Sequence, residues 1–429
     1  MVVQKLIDAL GSDVVITEAG PISNYSFDWT GKYFSQPLAV IKPRNVDEVV
    51  TALSLCAQEK INVVTQGGNS GLVGGSVGDS RPHVILSTKD LRTPPTFDAT
   101  SRQLTLGAGF TLQEVQEIAK SHGLVYPVDT ASRGLATIGG TVATNAGGVR
   151  VLAFGMTEQQ LIGIRMVLSD GTILDRLQRL KKENTGFDIT KLALGSEGTL
   201  GVITDVCVQL VAERKVSWTA LVPCESISAA LDLSTPHQAQ LLAAEIFQTR
   251  AANSIAQSEG MKTLPTDSAW WLLLEGDADK PDLPPGTLWA MTQSESAKLW
   301  NYRELQSSML NRLSNVNKVD TSVRPDLLNE FITHITGKLN AGDNLFVFGH
   351  ILDGNLHIAV VDGADDVTRI VLETAVALGG SISAEHGIGQ SKNEFLPLVK
   401  SAKELEIMDQ IRKSLDPAGV MNSHVLVTK

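Results

Sequence analysis

The chain has 429 residues, 43% of them hydrophobic and 19% charged, enough for two or three lobes with sizeable cores. Its net charge of -11 argues against nucleic acid as a partner, because phosphate binding needs clustered cations. Three cysteines, Cys56, Cys207 and Cys224, stand far apart with no C-x-x-C pair, so no disulfide framework, zinc knuckle or iron–sulfur cluster is expected. The N-terminal residues lack the apolar core of a secretory signal, and no window offers the ~20 apolar residues of a membrane span. The expectation is a cytoplasmic chain that is not an integral membrane protein.

In chain order, the first predicted element is an amphipathic helix, Val3–Leu10, followed by a turn-rich arm. From Leu38 short β-rich runs alternate with helices. "PLAVIKP" predicts a strand, "VDEVVTALSLCAQEK" a helix and "INVVTQ" a second strand. The pattern continues to about Leu210 and holds most of the glycine clusters; after Ala212 glycine thins, which puts a boundary near residues 212–218. Beyond it, "SISAALDLS" predicts a helix, "AWWLLLEGD" a strand and "DADKPDLPPGTL" a surface loop. "SESAKLWNYRELQSSMLNRL" reads as one helix and "RPDLLNEFITHITGKL" as another with proline near its start. Strands "NLFVFGHIL" and "NLHIAVV" precede helix "VTRIVLETAVALG", and "AKELEIMDQIRKSLDPAGV" is a last helix stopped by Asp-Pro. No repeat or low-complexity tract is visible.

Three glycine-rich loops carry the first chemical signal. Strand "INVV" runs into Gln66–Ser76, with five glycines. Glycine lets backbone approach a ligand closely, and successive free N–H groups form a concave anion site, for which a pyrophosphate is the obvious guest. The loop is neither a P-loop, lacking Gly-Lys-Ser/Thr, nor a G-x-G-x-x-G dinucleotide fingerprint. Two further loops, Pro127–Gly148 and Gly195–Thr204, suggest one long ligand lying against backbone, as a dinucleotide cofactor would.

"VVTQGGNSGLVGGS", "IGGTVATNAGG" and "GSEGTLGVITDV" resemble the FAD-binding domain of the vanillyl-alcohol-oxidase flavoprotein superfamily, over roughly Leu38 to Val211. Within it the chain is most similar to the FAD-linked D-2-hydroxyacid dehydrogenases, which include D-2-hydroxyglutarate, D-lactate and glycolate enzymes. The resemblance implies an α+β fold. Residues 1–215 would form a two-subdomain, PCMH-type FAD-binding domain with its core at about 34–212. Residues 216–400 would form an α+β substrate or cap domain, carrying the metal site and covering the flavin with an antiparallel sheet. Residues 401–429 would return to the FAD domain. It also implies that Gln66, Gly67, Gly68, Asn69, Ser70, Gly71, Leu72 and Ser76 hold the pyrophosphate. Pro127, Asp129, Gly139, Gly140, Ala143, Asn145 and Gly148 would line the flavin and its ribityl chain, with Glu197, Gly198 and Ile203 near the other end and Asn422 as a flavin contact. Covalent members tether FAD through a histidine near the first loop; none lies there, so non-covalent FAD is expected.

Three of the eight histidines sit in two short motifs. In "GHILDGNLH", Asp-Gly between apolar runs is a strong hairpin signal. A two-residue Asp353-Gly354 turn would set His350 directly opposite His357, close enough to share one metal ion. In "AEHGIG", Glu385 would complete a His, His, Glu set, which with an open position suits catalytic zinc first, and manganese or iron as well. His386 is then left as a candidate base. Both motifs are similar to the metal and base motifs of the metal-dependent 2-hydroxyacid dehydrogenases, which implies the metal set His350, His357 and Glu385 with His386 as catalytic base.

A 2-hydroxy acid brings a carboxylate, and arginine offers a planar fork for it. "WNYRE" resembles the helix segment that supplies the substrate arginine in this family. That implies Arg303, with Ser307 one turn on, Lys318 on the following strand, and Asn355 in the hairpin turn. Two features depart from the family. Leu352 replaces the glycine before Asp-Gly, and "DPAGVMNSHVL" lacks the usual Asn-Pro-Gly continuation.

The expected reaction is metal-assisted oxidation of a small D-2-hydroxy acid to its 2-oxo acid by hydride transfer to flavin N5. An electron-transfer flavoprotein, a quinone and oxygen are all open as the acceptor, and a homodimer is the expected assembly. Three rivals remain: a metal-independent FAD oxidase of an alcohol or sugar, a non-haem iron oxygenase, and a flavin-binding subunit without its own chemistry. The particular hydroxy acid is not legible.

Overall fold

The computed structural model describes residues 2–177, 180 and 182–426. The chain divides into two compact units, one of residues 1–148, 155–213 and 386–429, the other of residues 149–154 and 214–385.

The first unit holds two sheets. Strands β1 (Val15–Ile16), β2 (Val40–Ile41), β3 (Asn62–Gln66) and β4 (His83–Ser87) form one in the order β1-β2-β4-β3. β1 is antiparallel to β2; β2, β4 and β3 are mutually parallel. The predicted helices appear as Val2–Leu10 and Val46–Glu59. Asn45 caps the second, and Lys60 in the left-handed conformation ends it. The apolar stripes of both helices bury Leu6, Val49, Leu53 and Cys56 with Ile41, Val63 and Leu86 of the sheet. The second sheet is antiparallel, with strands β5 (Thr96–Asp98), β6 (Gln103–Gly107), β7 (Leu161–Val167), β8 (Ile173–Asp175) and β9 (Val202–Gln209) in the order β5-β6-β9-β7-β8. Its core joins Leu104, Leu106, Ile164 and Val206 to Leu112 and Val115 of helix Leu112–Ser121 and to Ile138 and Val142 of helix Ile138–Thr144.

The second unit is built on one antiparallel sheet. Its strands are β10 (Trp218–Cys224), β11 (Leu241–Gln248), β12 (Trp270–Gly276), β13 (Leu288–Ala290), β14 (Val316–Ser322), β15 (Leu345–His350) and β16 (Asn355–Val361). Their order is β13-β10-β12-β11-β15-β16-β14. Helices Thr249–Ser258 and Gln293–Arg312 cover one face, where Phe247, Trp271, Leu273 and Phe348 meet Trp300 and Tyr302. Helices Ile227–Ser234, Leu328–Leu339 and Val367–Ala377 also pack within this unit. β11 is buried along almost its whole length, which explains why it reads as an unbroken apolar run with a single charge, Glu245.

Two segments group differently from expectation. Residues 386–400, expected with the cap, belong to the first unit. The cause is local bonding: Ile388 and Gly389 donate to Glu197, and Gln390 and Ser391 donate to Val73 O. Residues 149–154 leave the second glycine loop for the other unit, where Arg150 pairs with Glu275 at 2.7 Å. No described helix is long and apolar enough to cross a membrane.

Candidate active site

In the first unit the three glycine loops converge. The first leaves β3 at Gln66, whose buried amide donates to Tyr25 O and Ser76 O and so closes the loop on itself. A Cβ on Gly67 would lie 2.5 Å from Thr137 Oγ1, and one on Gly68 would lie 1.9 Å from Leu135 O. Gly68 leaves no room for a side chain because the second loop's backbone lies directly on it, and at Gly67 the Thr137 side chain would have to move. Asn69 takes a left-handed turn at φ 53; its side chain donates to Phe27 O and accepts from Ser76 Oγ. The backbone N–H groups of residues 68–72 have no acceptor among the described residues, and Gly71 faces open space. A row of unsatisfied amides is the donor set a pyrophosphate requires. Leu72 beside it is exposed.

The second loop enters helix Ile138–Thr144 under a Thr137 cap and leaves it through Asn145, a left-handed residue whose Oδ1 accepts from Glu158 N. Gly139 packs against Ala108, and Gly148 against Asp129 O, where a Cβ would sit at 1.9 Å. Pro127 is buried, and Asp129 pairs with Arg133 at 2.7 Å. Glu197 N donates to Ala143 O, tying the third loop to the second. Ile203 is buried in β9. Asn422 ties the first loop to the third: its Oδ1 accepts from Thr65 N, and its Nδ2 donates to Gly75 O and Glu197 O. The Glu197 carboxylate accepts from Ile388 N at 2.8 Å and Gly389 N at 2.7 Å, so it anchors the segment that follows His386. Burial nevertheless pushes the Glu197 carboxyl up from its ordinary value, against the pull of those two donors.

In the second unit the strand register gathers the polar residues. The β15–β16 hairpin pairs His350 with Asn355 and Phe348 with His357. The expected two-residue turn is therefore corrected: Ile351–Gly354 form a four-residue connection, and His350 is diagonal to His357 rather than opposite. The offset is two residues, so both imidazoles stay on one face of the sheet, since side chains alternate with period two. Their ring centroids lie 5.7 Å apart. His357 pairs with Asp320 on β14, and His350 with Glu245 on β11. All four therefore share the face covered by helix Gln293–Arg312.

Contacts are short. His350 Nδ1 lies 2.5 Å from Glu245 Oε1, and His350 Nε2 lies 3.3 Å from Glu385 Oε1. His357 Nδ1 lies 3.5 Å from Asp320 Oδ1. Asp320 Oδ2 accepts from the backbone N–H of both Ala384 and Glu385, and Oδ1 accepts from Asn355 Nδ2. Ligand atoms of His350, His357 and Glu385 fall within 4.8 Å of one another, and this donor set fits a divalent metal. Burial depresses the basicity of both histidines. At His357 it wins, holding the pKa at about 4, which favours the neutral ring. At His350 it is outweighed by Glu245 and Glu385, which raise the pKa to about 10, so a metal would displace a proton. Burial also opposes ionisation of Glu385, but His350 holds its carboxyl below the usual range.

Arg303 is buried, with Nε donating to Glu245 Oε2 at 2.6 Å and its guanidinium 4.9 Å from the Phe348 ring centroid. Ser307 lies a turn further on but is exposed; the buried residue next to Arg303 on that helix is Gln306. Lys318 is exposed on β14 and bonds Asn311. Asn355 is buried, with its amide donating to Asp320 and Thr321 O, so only its oxygen remains for a ligand. Glu245 and Asp320 escaped the sequence reading. A lone carboxylate inside the apolar run "LLAAEIF" was the signal for the first; nothing singled out the second.

Comparison with known proteins matches residues 37–176 to the FAD binding domain and residues 213–425 to the FAD linked oxidases, C-terminal domain. The chain is 33% identical to the D-2-hydroxyglutarate dehydrogenase of Xanthomonas citri, over 95% of this chain and 92% of that one. It is 31% identical to the D-2-hydroxyglutarate dehydrogenase of Stutzerimonas stutzeri over 97% of each. It is 30% identical to the mitochondrial D-2-hydroxyglutarate dehydrogenase of Bos taurus, over 96% and 81%. Among solved structures, p-cresol methylhydroxylase shares the fold with TM-score 0.78 at 14% identity, covering 99% of this chain and 96% of that one. Alkyldihydroxyacetonephosphate synthase does so with TM-score 0.73 at 15% identity, over 98% and 84%.

Proposed function

The chain belongs to the FAD-linked D-2-hydroxyacid dehydrogenases of the vanillyl-alcohol-oxidase flavoprotein superfamily, and from that membership we propose that it oxidises a small D-2-hydroxy acid to the 2-oxo acid with help from one divalent metal ion. The observation that carries the metal-assisted reading is the convergence of His350, His357 and Glu385 on one point of a sheet face that also holds buried Arg303. Substrates of the named relatives, 2-hydroxyglutarate above all, indicate the substrate class.

FAD would be held non-covalently by the glycine loops and would supply a two-electron acceptor for the oxidation. His350, His357 and Glu385 would hold a divalent ion, zinc first, which would supply Lewis acidity toward the substrate hydroxyl. The chain's own residues do the rest. Arg303 offers its terminal nitrogens to the substrate carboxylate, since its Nε is already bound. Lys318, Ser307 and Asn355 complete the substrate contacts. Asp320 fixes the Glu385 backbone and the Asn355 amide, so the donor set is preorganised before substrate arrives. His386 takes the hydroxyl proton as general base. Loss of the hydroxyl proton to His386 and of the C2 hydride would leave the 2-oxo acid. The electron acceptor would be a separate carrier such as an electron-transfer flavoprotein or a quinone, or oxygen.

The test is a turnover assay with an electron-accepting dye. Only the D enantiomer should be oxidised. Chelator dialysis should lower kcat/KM on the order of 10²-fold, and added zinc or manganese should restore it. Unchanged activity after chelation would instead indicate a metal-independent FAD oxidase. His386→Asn should lower kcat ~10²- to 10⁴-fold with FAD and metal retained; normal turnover would remove His386 from the mechanism.

A further inference from the structure

Glu245 is fully buried in the middle of β11, and both of its oxygens are engaged. Oε1 meets His350 Nδ1 at 2.5 Å, and Oε2 meets Arg303 Nε at 2.6 Å. The register that pairs Glu245 with His350 across β11 and β15 sets the first contact. The second comes from the helix covering that face, and Phe348, two residues before His350 on β15, supports the Arg303 guanidinium from another side. A single carboxylate thus spans a metal-ligand histidine and the arginine assigned to the substrate carboxylate.

Resting on the metal-assisted reading above, we propose that Glu245 is a positioning residue that holds the metal site and the carboxylate clamp in fixed register, touching neither ion nor substrate. With Nδ1 of His350 bound to Glu245, Nε2 is the nitrogen left to face Glu385 and the ion. With Nε of Arg303 bound, the two terminal nitrogens form the fork for the substrate. One rigid carboxylate sets both orientations. The distance between ion and fork therefore does not depend on two independent side-chain rotamers, and that distance is what a 2-hydroxy acid must match with its hydroxyl and its carboxylate.

The consequence is a double loss from one substitution. In the flavin-loaded protein, Glu245→Gln should weaken zinc and manganese binding ~10- to 100-fold, read by competition with a chelating dye on metal-stripped protein. At saturating metal it should also raise KM for the D-2-hydroxy acid by about tenfold or more, with a smaller change in kcat. His350→Ala should lose metal affinity, and Arg303→Met should raise KM while leaving metal affinity within a few-fold of wild type. Bound FAD and thermal unfolding report whether each variant is folded. If Gln leaves the buried arginine too poorly matched to fold, Glu245→Asp keeps the charge and is one methylene too short to reach both partners. It should show both losses as well. Metal affinity and KM both at wild-type values in a folded Glu245 variant, or only one of them moved, would overturn the bridge. Wild-type protein that binds no metal, or binds it equally well as His350→Ala, would overturn the metal reading and this inference with it. Metal binding that depends on His350 but ignores Glu245 would overturn the inference alone.

Discussion

Asp320 carries more of the candidate site than its position suggests. Its two oxygens engage the His357 ring, the Asn355 amide and the N–H groups of Ala384 and Glu385. Asp320→Asn keeps one acceptor and removes the charge, so His357 and the Glu385 backbone lose their shared partner. Metal affinity should fall ~10- to 100-fold, measured by dye competition, while the flavin spectrum stays as in wild type. Equal affinity in the two proteins would mean that Asp320 only supports the fold. The histidines and Glu385 were legible in the sequence because the motif spacing is short and the hairpin signal strong. The hairpin register was not, because Asp-Gly fixes that a turn occurs but not its length. A two-residue slip preserved the face, whereas a one-residue slip would have turned one imidazole away. Glu245 and Asp320 reach the site only through strand pairing with residues 105 and 37 positions away, a relation that local pattern does not encode.

Among the elements, the glycine loops depend on backbone contact. Gly68 has no space for a Cβ against Leu135 O. Overpacking of this kind costs ~1–3 kcal/mol, and in Gly68→Ala it should appear as separation of the first two loops and loss of bound FAD, read by the absorbance of purified protein. Gly20→Ala, in helix Ala19–Ser26 with nothing within 4 Å, is the control and should stay within about 1 kcal/mol of wild type. FAD retained in full by Gly68→Ala would contradict the loop geometry. The C-terminal segment behaves differently, because its anchor titrates. His424 Nε2 lies 2.7 Å from Val77 O, and burial, only partly offset by Asp79, lowers the His424 pKa to about 4. The unfolded chain binds that proton near pH 6.5, so the folded state binds fewer protons in between. The stabilisation is complete above pH 6.5 and is lost as pH falls through 4; at pH 5 about 2 kcal/mol has gone. Thermal unfolding at pH 7.5 and 5.0 should show a smaller acid shift in His424→Gln than in wild type. Identical shifts would assign the acid sensitivity elsewhere.

At the scale of the whole molecule, the two-part organisation and its first boundary follow from composition. Glycine-rich, β-alternating sequence gives way to longer helices and strands near residue 213, where the chain passes from one unit to the other. The return at residue 386 was hidden, because Glu385 and His386 read as one motif although the chain changes unit between them. The short excursion of residues 149–154 was hidden for a similar reason: Arg150 finds Glu275 only in the folded chain. The proposed reaction needs flavin, metal and hydroxy acid together, and anaerobic flavin bleaching reads that coupling. Flavin-loaded protein would be mixed with each enantiomer of lactate, 2-hydroxyglutarate and malate, and with glycolate, before and after chelator dialysis. Bleaching by a D-2-hydroxy acid, slow or absent after chelation and restored by zinc or manganese, is the predicted result. A flavin that no 2-hydroxy acid reduces, or one that the acid reduces equally well without metal, would rule out the metal-assisted reaction.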